Sequence, residues 1–270
     1  RTVELYEYYF NLYLEKLGKY PSKPLISIEK ARKVLGAIPI KSFSTKMNIY
    51  SALMSFSKYL IVNLKLELSF RDKLKELRPR RSLPAKKTSL TEKQVDNLIK
   101  FVDTMKGSAS FKDKIRNKAI LMTFLHTGLR VSELANLTLK DVDLENRMIK
   151  VRLGKGNKDR AVGISEDLYH ALYRYIETLD CSNSEYFFVS RFGEKYQSHS
   201  LTQKIRRISR AAGFDSISPH SLRRSFVTIN AAKGKPLNHL RIACGHSDIT
   251  TTQGYCMTSQ DELIEAMKGW

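Results

Sequence analysis

The 270-residue chain is short of cysteine, of acidic side chains and of long apolar runs, and each shortage excludes a class of protein. Its three cysteines, Cys181, Cys244 and Cys256, form neither a CxxC pair nor a spacing suited to zinc. So sparse and odd a set argues against a disulfide framework and fits a reducing compartment. No stretch approaches the roughly 18 consecutive apolar residues of a membrane-spanning helix. The N-terminal residues also lack the apolar centre of a signal peptide, so a soluble, intracellular protein with no membrane partner is expected. Because the chain opens on Arg1 rather than Met, further residues are expected before it. Carboxylates are scattered: Asp141 and Asp143 read as loop residues rather than a two-metal site, and no metal or other cofactor is expected. Against 27 acids stand 47 lysines and arginines, a formal net charge of +20. A surplus of that size predicts a polyanionic partner, nucleic acid above all, although charge by itself carries no sequence specificity.

The remaining composition is arranged mostly with helical period. Val3, Tyr6, Phe10, Tyr13 and Leu17 recur at steps of three and four, and a second run from Met47 to Val62 carries Tyr50, Leu53, Met54, Ser57 and Leu60. Residues 1–76 therefore read as a small bundle of about four helices whose aromatics form the core. From Leu77 to Lys87 two prolines and the five cations Arg78, Arg80, Arg81, Lys86 and Lys87 occur with no acid. Proline blocks helix continuation, so residues 77–88 read as an extended linker, one that crosses a phosphate backbone or serves as a solvated hinge. Beyond it, Thr91-Glu92-Lys93-Gln94 has the pattern of a capping box ahead of a helix. A further helix is expected over 115–126, stopping at Gly128. Met148–Leu153 and Arg160–Ile164 read as the strands of a hairpin. Ser165 starts the next helix, and others are expected at 198–211, 219–233, 236–244, 248–254 and 261–268. The fold class is mainly α, with residues 89–270 forming a mixed, mostly α domain that holds one small antiparallel sheet.

Five short segments in the second half carry the chemistry: TGLRVSEL, GKGNKDR, PHSLRRSF, CGHS and TTQGY, with Arg130, Lys155, His220, Arg223, His246 and Tyr255. A phosphodiester resists attack because its nonbridging oxygens are negative, its nucleophile must lose a proton and its leaving alkoxide must gain one. Two guanidiniums answer the first difficulty, since each offers a planar fork of donors to paired phosphate oxygens. Gly128 ends one helix and Val131-Ser132-Glu133-Leu134 starts another, which leaves Arg130 beside backbone N–H groups that favour an anion. Glu133, one turn on, either orients Arg130 or forms a plain surface pair with it. Ser218 and Pro219 suit the cap and first position of a helix that sets His220 and Arg223 on one face. A histidine near neutral pKa can relay the nucleophile's proton. Tyr255 lies nine residues beyond His246, and as a phenol of pKa about 10 it needs neighbouring cations to act as a nucleophile.

This ordered set resembles the tyrosine recombinase family, which includes the phage integrases and the Xer proteins, over roughly residues 40–268. The resemblance implies a helical, SAM-like core-binding domain at 1–76 and a catalytic domain at 89–270 that close on double-stranded DNA. It implies site-specific cleavage and rejoining through a 3′-phosphotyrosyl intermediate on Tyr255, without metal or ATP. Arg130, Lys155, His220, Arg223 and His246 complete the catalytic set. It assigns the role of general acid toward the 5′ oxygen to Lys155, with Lys158 on the same hairpin as the competitor. His246 would donate to a nonbridging oxygen. It further implies a homotetramer on two DNA sites, with the 261–268 helix docking on a neighbour, although the sequence equally allows packing in cis. An accessory DNA-bending or regulatory protein and a nucleoid-associated, cytoplasmic location complete the picture.

Three positions depart from the family pattern: Arg224 where histidine is usual, Gly254 where a bulky residue is common, and Cys244 where leucine is usual. None removes a catalytic group. The same chemistry would also serve a type IB topoisomerase, and a non-enzymatic DNA-binding protein could keep the fold. The terminal helix and separate N-terminal domain favour an integrase of a mobile element or a resolvase of chromosome dimers.

Overall fold

Ser or Thr side chains cap four of the described helices, at Ser27, Thr91, Ser110 and Ser218. In the computed structural model, residues 2–17, 27–38, 43–63, 69–80, 89–105, 110–152, 159–179, 184–215 and 217–245 are described. The chain divides into two compact units, Arg1–Ala85 and Lys86–Trp270. The first holds α1 (Thr2–Leu17), α2 (Ile28–Ala37), α3 (Phe43–Asn63) and α4 (Phe70–Glu76). Their core comprises Tyr13, Val34, Leu35, Ile49, Leu53, Phe70 and Leu74 among others. Ser27 opens α2 by accepting from the Lys30 N–H at 3.2 Å. Tyr13 is fully buried, and burial pushes its phenol up to about 12. The expected stripe on α1 fails at its start, because Val3 is 77% exposed. The first turn of α1 therefore extends past the core, and the inward face is carried by Phe10 and Tyr13 of the expected stripe, with Tyr9, Leu12 and Leu14 beside them. Arg78 and Arg80 follow α4 and are exposed. Arg81, Lys86 and Lys87 lie outside the described residues.

The second unit is organised around α6 (Phe111–Thr127), which packs against α5 (Glu92–Thr104), α8 (Glu166–Ile176) and α10 (Pro219–Ala232). Ile120, Leu121 and Phe124 on α6 are fully buried, each worth about 1.5–3 kcal/mol of transfer free energy. The Thr91–Gln94 capping box forms as the sequence suggests. Helix α6 starts four residues earlier than periodicity indicates, because the Ser110 hydroxyl accepts from the Asp113 N–H at 3.2 Å. At α10, the Ser218 hydroxyl accepts from the Ser221 N–H at 3.3 Å with Pro219 in the first turn. Leu90 N–H donates to Ser225 Oγ at 2.7 Å and ties the start of α5 to α10. Helices α7 (Val131–Ala135), α9 (Ser198–Ala211) and α11 (Leu237–Cys244) complete the set within the described residues.

The hairpin of β2 (Met148–Val151) and β3 (Arg160–Gly163) pairs antiparallel, with Val151 opposite Arg160. A third strand, β1 (Val142–Asp143), adds to β2 and makes the sheet order β1-β2-β3. Two-residue strands leave too short an alternation to register as sequence period, which is why β1 reads as loop. The expectation of a mainly α fold with a small antiparallel sheet holds. Asp141 lies in a short 3₁₀ turn rather than a loop. It is buried and accepts from Thr138 N–H at 3.0 Å, Thr138 Oγ1 at 2.6 Å and Arg152 Nε at 2.7 Å. Its charge is thereby committed to the turn. No described helix is long and apolar enough to cross a membrane. The helices expected at 248–254 and 261–268 lie outside the described residues.

Candidate active site

Helix α6 ends at Gly128, whose φ of +64° places it in the left-handed region. A Cβ there would stand 2.6 Å from Phe226 Cδ1 and 3.0 Å from Cys244 Sγ, so both conformation and space require glycine. Two residues later Arg130 caps α7, and the Glu133 carboxylate reaches back to accept from the Arg130 N–H at 2.7 Å. Glu133 also accepts from Arg130 Nη1 at 2.8 Å, and it is itself buried, with a side chain 6% exposed. The Glu133 carboxylate is thus buried while its partner Arg130 remains partly exposed.

A third participant, Arg160 at the start of β3, was not singled out by sequence. Its Nη1 and Nη2 grip the two oxygens of Glu133 at 3.1 and 2.8 Å. Burial pushes the Glu133 carboxyl up, but hydrogen bonds from Arg160 and Arg130 outweigh it and hold the group below the usual range. The signal that could have revealed Arg160 is its register. It shares a strand face with Val162, which is buried, so the alternation points a guanidinium inward.

The three guanidiniums converge on one helix end. Arg160 Nε donates to the Ala243 carbonyl at 2.8 Å, Arg223 Nη2 to Cys244 at 2.7 Å and Arg130 Nη2 to Gly245 at 2.6 Å. Arg223 Nη1 also donates to Gly128 at 2.7 Å, which joins the ends of α6 and α11. These carbonyls form the negative end of α11, where cations are favoured. Arg223 is 3% exposed, whereas the Arg130 side chain is 40% exposed. His220, on the same helix as Arg223, is exposed. The two are three residues apart on α10, but Arg223 is buried at the packed helix ends while His220 is exposed. Burial pushes the Cys244 thiol up, with Arg223, Arg160 and Arg130 partly offsetting this. Cys244 fills a buried position beside Phe226, Val227 and Leu240. Arg224 is also buried.

Gly245 closes α11 with a φ of +62°. A Cβ there would lie 2.7 Å from Arg160 Nη1 and 3.3 Å from Arg130 Nη1. Neither guanidinium can step aside without breaking its bonds to Glu133 or to the α11 carbonyls. Gly245→Ala is therefore expected to cost roughly 1–3 kcal/mol, combining left-handed strain with loss of these bonds. Thermal unfolding checks this, and a melting temperature equal to that of wild type would show the network to be slack.

The structure thus brings together Arg130, Glu133 and Arg223 and adds Arg160. Lys155, Lys158, His246 and Tyr255 lie outside the described residues. The profile of the phage integrase family matches residues 88–262. The chain belongs to the phage integrase family. Its likeness extends to the tyrosine recombinase XerA of Pyrococcus horikoshii, 31% identical over 272 residues and covering 99% of this chain and 86% of that protein. A crystal structure of XerA recombinase superposes with a TM-score of 0.60 at 26% identity, covering 99% of this chain and 91% of that one. The Tn1549 transposon integrase, solved with transposon right-end DNA, reaches a TM-score of 0.78 at 21% identity, covering 99% and 92%. This integrase-family chain is accordingly an enzyme, a tyrosine recombinase of the site-specific kind, and its mostly helical fold with a three-stranded sheet is that of the family.

Proposed function

We propose that the chain cleaves and rejoins double-stranded DNA through a 3′-phosphotyrosyl ester on Tyr255. The observation that carries this reading is the charge of the helix-end cluster. In the described contacts Arg130 and Arg160 share the Glu133 carboxylate and all three guanidiniums donate to neutral carbonyls, which leaves the locus positive and ready for a phosphate. Arg130, with its partly exposed guanidinium, takes the nonbridging oxygens. Arg223 fixes the ends of α6 and α11 and adds its charge from behind. His246, the next residue after Gly245, donates to the same phosphate, and His220 relays the phenolic proton.

In the forward step the Tyr255 oxygen attacks phosphorus and loses its proton, and the bond from phosphorus to the 5′ oxygen breaks. That oxygen leaves as a hydroxyl with a proton from Lys155. A 5′ hydroxyl of a second duplex then reverses the step, so the ester conserves bond energy without ATP. The flow of protons is closed within the site, and no step calls for a metal. Residues 1–76 act as a core-binding domain, 77–88 as the linker along the backbone and 89–270 as the catalytic domain. Arg78, Arg80, Arg81, Lys86, Lys87 and Lys158 contact phosphates. Recombination then proceeds in a homotetramer on two DNA sites, with residues 261–268 packing in trans or in cis and an accessory DNA-bending or regulatory protein, in the nucleoid of the cytoplasm.

Covalent capture tests the reading. Protein and a genomic DNA library are mixed, quenched in detergent, and protein-linked DNA is recovered and sequenced. DNA attached through its 3′ phosphate to Tyr255 supports it, and recovery of no adduct from a folded, DNA-binding protein counts against it. Lys155→Ala is expected to slow cleavage by about 10²–10⁴-fold, the usual worth of a general acid. A substrate with a 5′-bridging sulfur needs no protonation on leaving and should restore the rate. Absence of rescue would transfer the role to Lys158.

A further inference from the structure

Arg160 stands where three parts of the site meet. Its side chain is 7% exposed, and every polar contact described for it faces inward. Through the Glu133 carboxylate it shares a partner with Arg130, the guanidinium proposed to meet the phosphate. Through the Ala243 carbonyl, 2.8 Å from its Nε, it holds the end of α11, two residues before Gly245 and three before His246. Through β3 it is tied covalently to the segment that carries Lys158 and Lys155. Gly245 lies so close that an added Cβ would meet the Arg160 guanidinium at 2.7 Å. A fork of fixed donors can serve a carboxylate with both Nη atoms and a carbonyl with Nε at once; an ammonium cannot.

We propose that Arg160 is a positioning residue of the recombination reaction, setting the Arg130 guanidinium through their common carboxylate while anchoring the end of α11. The inference rests on the phosphotyrosyl reading. Glu133 divides its oxygens between two arginines. Without the bidentate grip of Arg160, the carboxylate is free to turn toward Arg130 and draw that guanidinium off the position from which it meets a phosphate. A displacement of about 1 Å at such a group is enough to slow a reaction on the order of 100-fold.

Arg160→Lys tests this, since it keeps the charge but loses the fork, and Arg160→Gln is measured beside it so that a folding failure of one leaves the other. For each folded variant, DNA affinity, melting temperature and the single-turnover rate of adduct formation are compared with wild type. The expected result is DNA affinity within about twofold and an adduct rate lowered about 10–100-fold. A second substrate carries a methylphosphonate at the cleaved position, which removes the nonbridging charge that Arg130 answers. On it the deficit should shrink to within about threefold of wild type, because a misplaced Arg130 no longer matters. A purely structural ion pair would lower the melting temperature and leave the rate per folded molecule unchanged on both substrates, which would overturn the proposal. An equal deficit on both substrates would overturn the route through Arg130. Absence of adduct from wild type itself would instead overturn the phosphotyrosyl reading beneath it.

Discussion

Tyr255→Phe is expected to bind DNA within about twofold of wild type and to form no detergent-stable adduct, a loss of at least about 10⁴-fold. The substitution removes one oxygen and keeps the ring, so whatever packing Tyr255 makes survives. What disappears is the only atom that can bond to phosphorus in the proposed step. Phenol is a poor nucleophile at neutral pH because its pKa is about 10. Its use here depends on stabilising the charge that develops as the proton leaves and the phosphate oxygens gather charge. In the proposed step, the guanidiniums held at the end of α11 would supply fixed positive charge for that purpose. DNA binding, by contrast, draws on the whole +20 surplus and barely notices one hydroxyl. Gel-shift affinity and covalent capture, run on the same preparation, separate the two. Adduct from the phenylalanine variant would place the nucleophile elsewhere and undo the assignment.

Arg223→Ala should damage both fold and chemistry. The side chain is almost fully buried and donates to Gly128 and Cys244, each at 2.7 Å. Truncation strands two buried carbonyls and opens a void between the ends of α6 and α11. Losing one partner of a buried, charge-assisted network costs about 3–5 kcal/mol. For a unit of this size that lowers the melting temperature by roughly 10 °C. Removing one fixed cation from a charge-stabilising cluster should also slow adduct formation in the surviving folded fraction by about 10²–10³-fold. Arg223→Lys keeps the charge but cannot span both carbonyls, and should fall between the two. Calorimetry with single-turnover cleavage provides the check. An alanine variant with wild-type stability and rate would show that neither the helix ends nor the phosphate depend on this residue.

Much of this architecture was legible because it is local. A cap such as Thr91 with Gln94, or Ser218 with Pro219, acts within four residues, and the sequence window contains the whole interaction. The same holds for Gly128 as a helix stop and for the strands on either side of the GKGN segment. What escaped depends on distant partners. Glu133 and Arg130 could be seen as neighbours one turn apart, but the second guanidinium that grips the same carboxylate belongs to Arg160, 27 positions away. The carbonyls that aim Arg130 and Arg223 belong to residues 115 and 21 positions away. Backbone acceptors carry no side-chain signature at all, so no residue type announced them. Val3 failed for the opposite reason: its period was right, but the core it points toward ends before reaching it.

The choice of partner at the end of α11 has an electrical consequence. A carboxylate would hold a guanidinium in place and cancel it; a carbonyl holds it in place and cancels nothing. Four of the contacts that fix Arg130, Arg160 and Arg223 go to peptide carbonyls. Aim is thus separated from neutralisation, and the cluster can be rigid while remaining attractive to an anion. Within these contacts Glu133 is the sole acid, shared between two arginines rather than given to one.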